Sequence, residues 1–287
     1  MQFIGYRKSC NFLWYPYFCC LERTVMELYF RKYGQGSPLI IIHGLFGLSD
    51  NWVAIGKELA KSHEVYIPDL RNHGLSPHDP AMNYYAMAAD LEEFIEYHEI
   101  QKPVIIGHSM GGKAVMQFLA DYPGKASGAV ILDISPLEYK ARRTHLDILM
   151  AMKSIDVSAY SSRKEIHKAV AEKIPDIRLQ QFVLKNLQRS GNNSFSWKPN
   201  IDVILESLED IFAAVDTPEE KPEIPVLFVR GSDSDYIRDE DLKNIEEQWS
   251  RLPVQTIPGA THWLHVDAPE EVLEILRDFL SRSRQHG

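Results

Sequence analysis

The sequence predicts an α/β domain: a mostly parallel central sheet flanked by helices, with an all-helical insertion ahead of its last strands. Three observations lead there. Short continuous apolar runs, the mark of strands buried on both faces, alternate with segments of helical spacing. The alternation stops at Pro136, gives way to helical spacing alone as far as about Val215, and then resumes. Between these, Val104-Ile105-Ile106-Gly107-His108-Ser109-Met110-Gly111-Gly112 is an apolar strand running into Gly-X-Ser-X-Gly and a helix, the sequence form of a nucleophile elbow.

Taken in order, Met26-Glu27-Leu28-Tyr29-Phe30 opens the domain as a first strand, and Leu39–Ile42 forms a buried strand that ends at His43-Gly44. Glu64–Asp69 is a similar, weaker strand. From Asn83 to Glu99, Met87, Leu91, Phe94 and Ile95 recur on one helical stripe with acidic residues between them. The elbow strand, a helix from Met110 to about Asp121 and the strand Ala129–Asp133 follow. Strands alternating with helices imply right-handed crossovers and hence a parallel sheet. Residues 137–215, broken near Pro175 and at Ser190-Gly191-Asn192-Asn193, form the insertion, expected as a cap over the active-site face. The strand Val226–Val229, helix Asp239–Trp249, strand Val254–Ile257 and helix Pro269–Ser281 complete a core of residues 26–136 and 216–284.

The first 25 residues differ from this domain. They hold all three cysteines (Cys10, Cys19, Cys20), and Pro16 breaks their apolar run. Without the small-residue cleavage site of a secretion signal, they read as an extension outside the domain, consistent with a start codon assigned too early. From Met26 onward there is no cysteine, so no disulfide framework supports the fold, which fits a reducing cytoplasm. Composition is that of a globular enzyme, with 45% apolar and 25% charged residues. The formal net charge of −9 gives no footprint for nucleic acid. No apolar run approaches the ~18 residues of a spanning helix, and no stable membrane association is expected.

Gly107 and Gly111 remove side chains where the elbow strand and the departing helix crowd each other, and the turn leaves Ser109 at a helix N-terminus. Alone, the pattern would arise by chance in about one chain in ten of this length. Gly107, Gly112 and Lys113 also nearly spell a phosphate-binding loop, but Ala114 stands where a Mg²⁺-binding Ser or Thr is required. The elbow reading therefore depends on partners. A serine needs a base, and His262, in the loop after the strand Val254–Ile257, lies at the sheet edge where ligands collect. His265 is its competitor; a metal site on the pair lacks a third ligand.

For the orienting acid the first choice is Asp133, at the end of the strand before the insertion. Asp233 and Asp235, flanking Ser234 after the first strand beyond the insertion, are alternatives, and Asp202 an outlying one. The loop His43-Gly44-Leu45-Phe46-Gly47 can offer a backbone N–H to an oxyanion, from Leu45 first and Phe46 second, paired with the N–H of Met110. The basic residues Lys140, Arg142 and Arg143 are candidates to meet a phosphate-bearing leaving group.

With these pieces assembled, residues 26–284 resemble the α/β-hydrolase superfamily, in particular the YbfF-like esterases and their relatives, the mitochondrial abhydrolase-domain-containing proteins. The resemblance is carried by His43–Gly47, Asp69-Leu70-Arg71-Asn72-His73-Gly74-Leu75-Ser76, Met82-Asn83-Tyr84, Gly107–Ala114, Asp133-Ile134-Ser135-Pro136 and His262-Trp263-Leu264-His265. It implies an α/β-hydrolase fold and an esterase or thioesterase acting on small acyl esters or thioesters, acyl-CoA among them, with no metal or organic cofactor. It also implies Ser109, Asp133 and His262 as a triad, with Ser234 as a supporting fourth residue. The two carboxylates around Ser234 depart from the family pattern and keep the acid open. The same scaffold hosts lactonases, carbon–carbon bond hydrolases and small-molecule binding proteins, which are the alternatives to an ester hydrolase.

Overall fold

The computed structural model describes residues 26–139, 143–189, 191 and 194–283. The extension of residues 1–25, Lys140, Arg142 and the side chain of Arg143 lie outside what is described, and with them the expected phosphate-binding cluster. The strands are β1 (Phe30–Tyr33), β2 (Ser37–Ile42), β3 (His63–Pro68), β4 (Val104–His108), β5 (Gly128–Leu132), β6 (Leu187–Arg189), β7 (Phe195–Trp197), β8 (Val226–Gly231) and β9 (Gln255–Ile257). Seven of them form one sheet in the order β1-β3-β2-β4-β5-β8-β9, parallel except for β1.

Alternation along the strands builds two cores. In β2, Leu39 and Ile41 face a cluster with Val65, Ile67, Ile106 and Val130, covered by helices α1 (Val53–Leu59) and α11 (Pro269–Ser283). Ile40 and Ile42 face the other side, with Ile105, Ile131 and Phe228 beneath helices α2 (Tyr84–Tyr97) and α3 (Met110–Asp121). Every residue of β4 and β5 is buried, as a sheet covered on both faces requires. Asn83 caps α2 by accepting from the Ala86 amide at 2.9 Å.

Two expectations need correction. The first strand is not Met26–Phe30 but Phe30–Tyr33, paired antiparallel to β3 with Phe30 opposite Pro68. Apolar content pointed to the earlier segment, but an edge strand carries charge: Lys32 pairs with Glu64 of β3 at 2.7 Å, and Arg31 with Asp50. Nor is the insertion all-helical. Its helices α4 (Arg143–Lys153), α5 (Arg163–Lys173), α6 (Ile177–Leu184), α7 (Ile201–Glu206) and α8 (Leu208–Phe212) are interrupted by the β6–β7 hairpin. Three-residue strands are too short to show a period, and the Gly191-containing segment that read as a helix break joins them.

The insertion is tied down at its root. The Val215 amide donates to Pro136 O at 3.0 Å and the Tyr139 amide to Phe212 O at 3.1 Å. Beneath them Lys113, fully buried on α3, donates from Nζ to Leu137 O at 2.7 Å and to Ala213 O. After β8 come α9 (Asp239–Gln248) and, beyond β9, the one-turn α10 (Leu264–Asp267). Among the described residues no helix is long and apolar enough to cross a membrane.

Candidate active site

The turn between β4 and α3 forces Ser109 to φ 53° and ψ −124°, a conformation that costs a side-chain-bearing residue roughly 1–3 kcal/mol. Its tightness follows from the glycines. A Cβ on Gly107 would lie 2.5 Å from Gly111 O, and one on Gly111 would lie 2.4 Å from His43 O. The Ser109 amide donates to Leu132 O at 3.0 Å, and Ser109 O accepts from Gly112 and Lys113, which starts the helix behind the side chain.

Ser109 Oγ lies 2.9 Å from His262 Nε2, and His262 Nδ1 lies 2.8 Å from Asp133 Oδ2. A carboxylate only accepts, so Nδ1 carries the ring proton and Nε2 is left to accept from the serine hydroxyl. Asp133 is fully buried, at φ 53° just past β5, and its carboxylate is held from three sides. Oδ1 accepts from the Gly231 amide at 3.0 Å, while Oδ2 accepts from Ser234 Oγ as well as from His262. Tyr236 stacks on the His262 ring, 3.7 Å between centroids and 16° between planes, and its hydroxyl lies 3.3 Å from His145 Nε2 of α4.

The structure thus brings Ser109, His262, Asp133 and Ser234 together and leaves the other acids outside. Asp233 and Asp235 are exposed, Asp233 accepting from Ser232 Oγ at 2.9 Å. Asp202, in the first turn of α7, pairs with Lys153 at 2.8 Å. His265 stacks on Trp52 at 4.4 Å, and burial pushes its imidazole down to about 4.

The loop after β2 reaches the serine from the other side. The Phe46 amide donates to His73 Nε2 at 3.2 Å, whereas the amides of Leu45 and Met110 have no hydrogen-bond partner among the described residues. Two imidazoles that sequence reasoning passed over shape this loop. His43 accepts from the Leu70 amide at Nε2 (3.0 Å), which assigns its other ring nitrogen as donor to Gly44 O at 2.8 Å. His73 likewise accepts at Nε2 and donates from Nδ1 to Arg71 O at 3.0 Å. Burial pushes His43 down to about 4 and His73 to about 3, so both stay neutral and keep an acceptor nitrogen for the backbone. Arg71 below them forms a bidentate pair with Asp90, both contacts 2.6 Å. From the cap, buried Asn186 donates to Phe46 O at 2.8 Å. The one available signal was that both histidines fall inside the motifs quoted above; their partners lie 27 residues away in sequence, and Asn186 lies 140 from Phe46.

Ser109 and His262 open onto a cavity of about 340 Å³ between the sheet edge and the cap, within the usual range for a small-molecule site. Phe46, Ile148, Leu179, Phe182 and Trp263 give it apolar walls, and Arg178 and Lys185 lie at its cap side. Among the described residues no carboxylate lines it.

A parallel sheet whose central strand delivers a strained serine toward an imidazole on the last loop defines an α/β hydrolase. Comparison with known proteins agrees. Residues 37–155 match the family described as alpha/beta hydrolase fold. Esterase YbfF of Escherichia coli is 34% identical over 247 residues, covering 86% of this chain and 94% of that protein. The sn-1-specific diacylglycerol lipase ABHD11 of Danio rerio is 34% identical over 255 residues, covering 86% of this chain and 79% of that one. Among solved structures, a marine microorganism esterase superposes with a TM-score of 0.86 at 42% identity, covering 88% of this chain and 99% of that one. The chain belongs to the α/β-hydrolase family, and it is of the esterase/lipase type.

Proposed function

We propose that the protein hydrolyses carboxylic esters and thioesters, acyl-CoA among the thioesters, through an acyl-enzyme on Ser109. The observation that carries this reading is the unbroken chain from Ser109 Oγ, on the cavity lining, through His262 to buried Asp133 behind it. Ser109 Oγ attacks the acyl carbonyl as His262 Nε2 takes its proton, and Asp133 holds the imidazole and stabilises the imidazolium. The Leu45 and Met110 amides receive the carbonyl oxygen as it becomes negative; one such donor is worth ~10²–10³ in rate. The engagement of the Phe46 amide with His73 supports Leu45 as the loop donor. Collapse of the tetrahedral species breaks the bond to the leaving alcohol or thiol, which takes the proton from His262. Water, deprotonated by the same imidazole, then attacks the acyl-enzyme and releases the acid and free Ser109. Every group used belongs to the chain, and the absence of cysteine from Met26 onward supports work in a reducing cytoplasm.

Fluorophosphonate labelling of the wild-type protein, lost in Ser109→Ala, is the expected result, together with a fall of about 10⁶ in kcat. An activity screen over ester, thioester and lactone substrates with that variant as control identifies the bond. Labelling that persists in Ser109→Ala would overturn the nucleophile. Turnover of lactones alone would replace the ester reading.

A further inference from the structure

The cap holds a second cavity, of about 440 Å³, between α4 and the α5–α6 junction. Thr144, Ile148 and Leu179 line both it and the cavity over Ser109, so the two spaces are separated only by the side chains of a shared wall. Beyond that wall Met150, Ala151, Ile174 and Pro175 supply the apolar part of the lining, with Asp147, Ser154, Lys173 and Asp176 as its polar members. The flanking surface has the same character: Leu146 is 42% exposed, Met150 51% and Ile177 67%, three of eight large apolar side chains left open to solvent among the described residues. Apolar side chains gathered beside a ligand cavity mark a surface that something apolar covers. The carboxylate of Asp176 at the margin already serves to cap α6, accepting from the Leu179 amide at 3.0 Å.

We propose that this second cavity is the distal acyl-chain subsite, so that the preferred substrates carry an unbranched chain long enough to pass between Ile148 and Leu179. The inference rests on the ester-hydrolase reading of Ser109. It also follows from which side of the ester each wall serves. His262 must hand its proton to the leaving group, which therefore lies along His262, Trp263 and exposed Val266, also on the cavity lining. The wall of α4 and α6 is left for the acyl side. A chain threaded there buries methylenes against side chains that are otherwise wet, each worth about 0.8 kcal/mol, or roughly a fourfold gain in kcat/KM.

The test is a series of p-nitrophenyl esters from butyrate to dodecanoate, as dilute monomers, on wild type, Ala151→Trp and Met150→Glu. Both positions line only the second cavity, and Met150 is exposed enough that its replacement leaves the fold intact. For wild type, kcat/KM rises with chain length. In each variant the advantage of dodecanoate over butyrate shrinks at least tenfold while butyrate turnover holds. Equal losses on both esters, or no wild-type preference for length, would overturn the subsite. A parallel series of acetate esters of alkanols places the chain on the other side; length dependence there alone assigns the groove to the leaving group instead. A deficit confined to esters dispersed in phosphatidylcholine vesicles would mean that the patch meets a lipid surface, and the subsite fails. Loss of butyrate hydrolysis in Ser109→Ala confirms the parent reading independently, and its survival there would sink that reading alone.

Discussion

Asp133 is held in place by groups scattered along the chain: the Gly231 amide, the Ser234 hydroxyl and the His262 ring. An amide in its place would keep the shape but offer the ring nitrogen the wrong partner. Asp133→Asn is therefore expected to lower kcat by about 10⁴ with the fold intact, whereas Asp202→Asn, Asp233→Asn and Asp235→Asn remain near wild type. Steady-state kinetics on a butyrate ester checks this, and loss at Asp235 with Asp133→Asn active would transfer the role. Ser109 and His262 were legible in the sequence because a glycine pattern and a post-strand loop are local signals. The carboxylate that meets His262 was legible only in part: Asp133 came first, but Asp233 and Asp235 also stood at workable loop positions, and only the packing of β5 against β8 decides which one is buried. Along Asp233-Ser234-Asp235 the middle side chain turns inward and its neighbours outward, an orientation that composition does not reveal.

Among the elements, α3 does more than present the serine. Four residues on from Ser109, Lys113 sits buried beneath both roots of the cap, bound to Leu137 O and Ala213 O, with the Tyr139 ring 4.9 Å and the Tyr84 ring 5.8 Å from its nitrogen. Burial lowers its pKa from 10.5 to about 7, against a smaller upward pull from Glu138. Between those two values the unfolded chain binds a proton that the folded one has released, so stability rises with pH across the window. Below about pH 7 both states are protonated, and the cost of the buried charge is fully present. Urea midpoints from about pH 7 to about pH 9.5 should climb more steeply for wild type than for Lys113→Met, and parallel curves would refute it. The helices were legible from their period and the parallel strands from their continuous apolar runs, and the terminal helix nearly to its ends. The edge strand β1 and the β6–β7 hairpin were not. Charge on a sheet edge and strands of three residues leave no periodic trace.

Across the whole molecule, titration concentrates in imidazoles kept neutral by burial. His43 and His265 are lowered to about 4, His73 to about 3, and His108, fully buried beside His262, well below its ordinary 6.5. Each is protonated in the unfolded chain near 6.5 but resists protonation in the fold, so stability is held above that pH and lost as pH falls toward 4. Proton NMR of the histidine ring signals should show His43, His73 and His265 failing to titrate above about pH 5 and His108 shifted well below 6.5, with the urea midpoint declining as pH falls from about 6.5 toward 4. Ordinary titration of all of them would contradict the burial. The tie from Asn186 to Phe46 O has a different consequence, for modularity. Insertions between β5 and β8 look exchangeable, one roof for another on a common foundation. Here the roof supplies a bond that holds the loop beside Ser109. A graft from another hydrolase that lacks a matching amide donor would arrive with new walls and a loosened catalytic floor, changing rate and selectivity together.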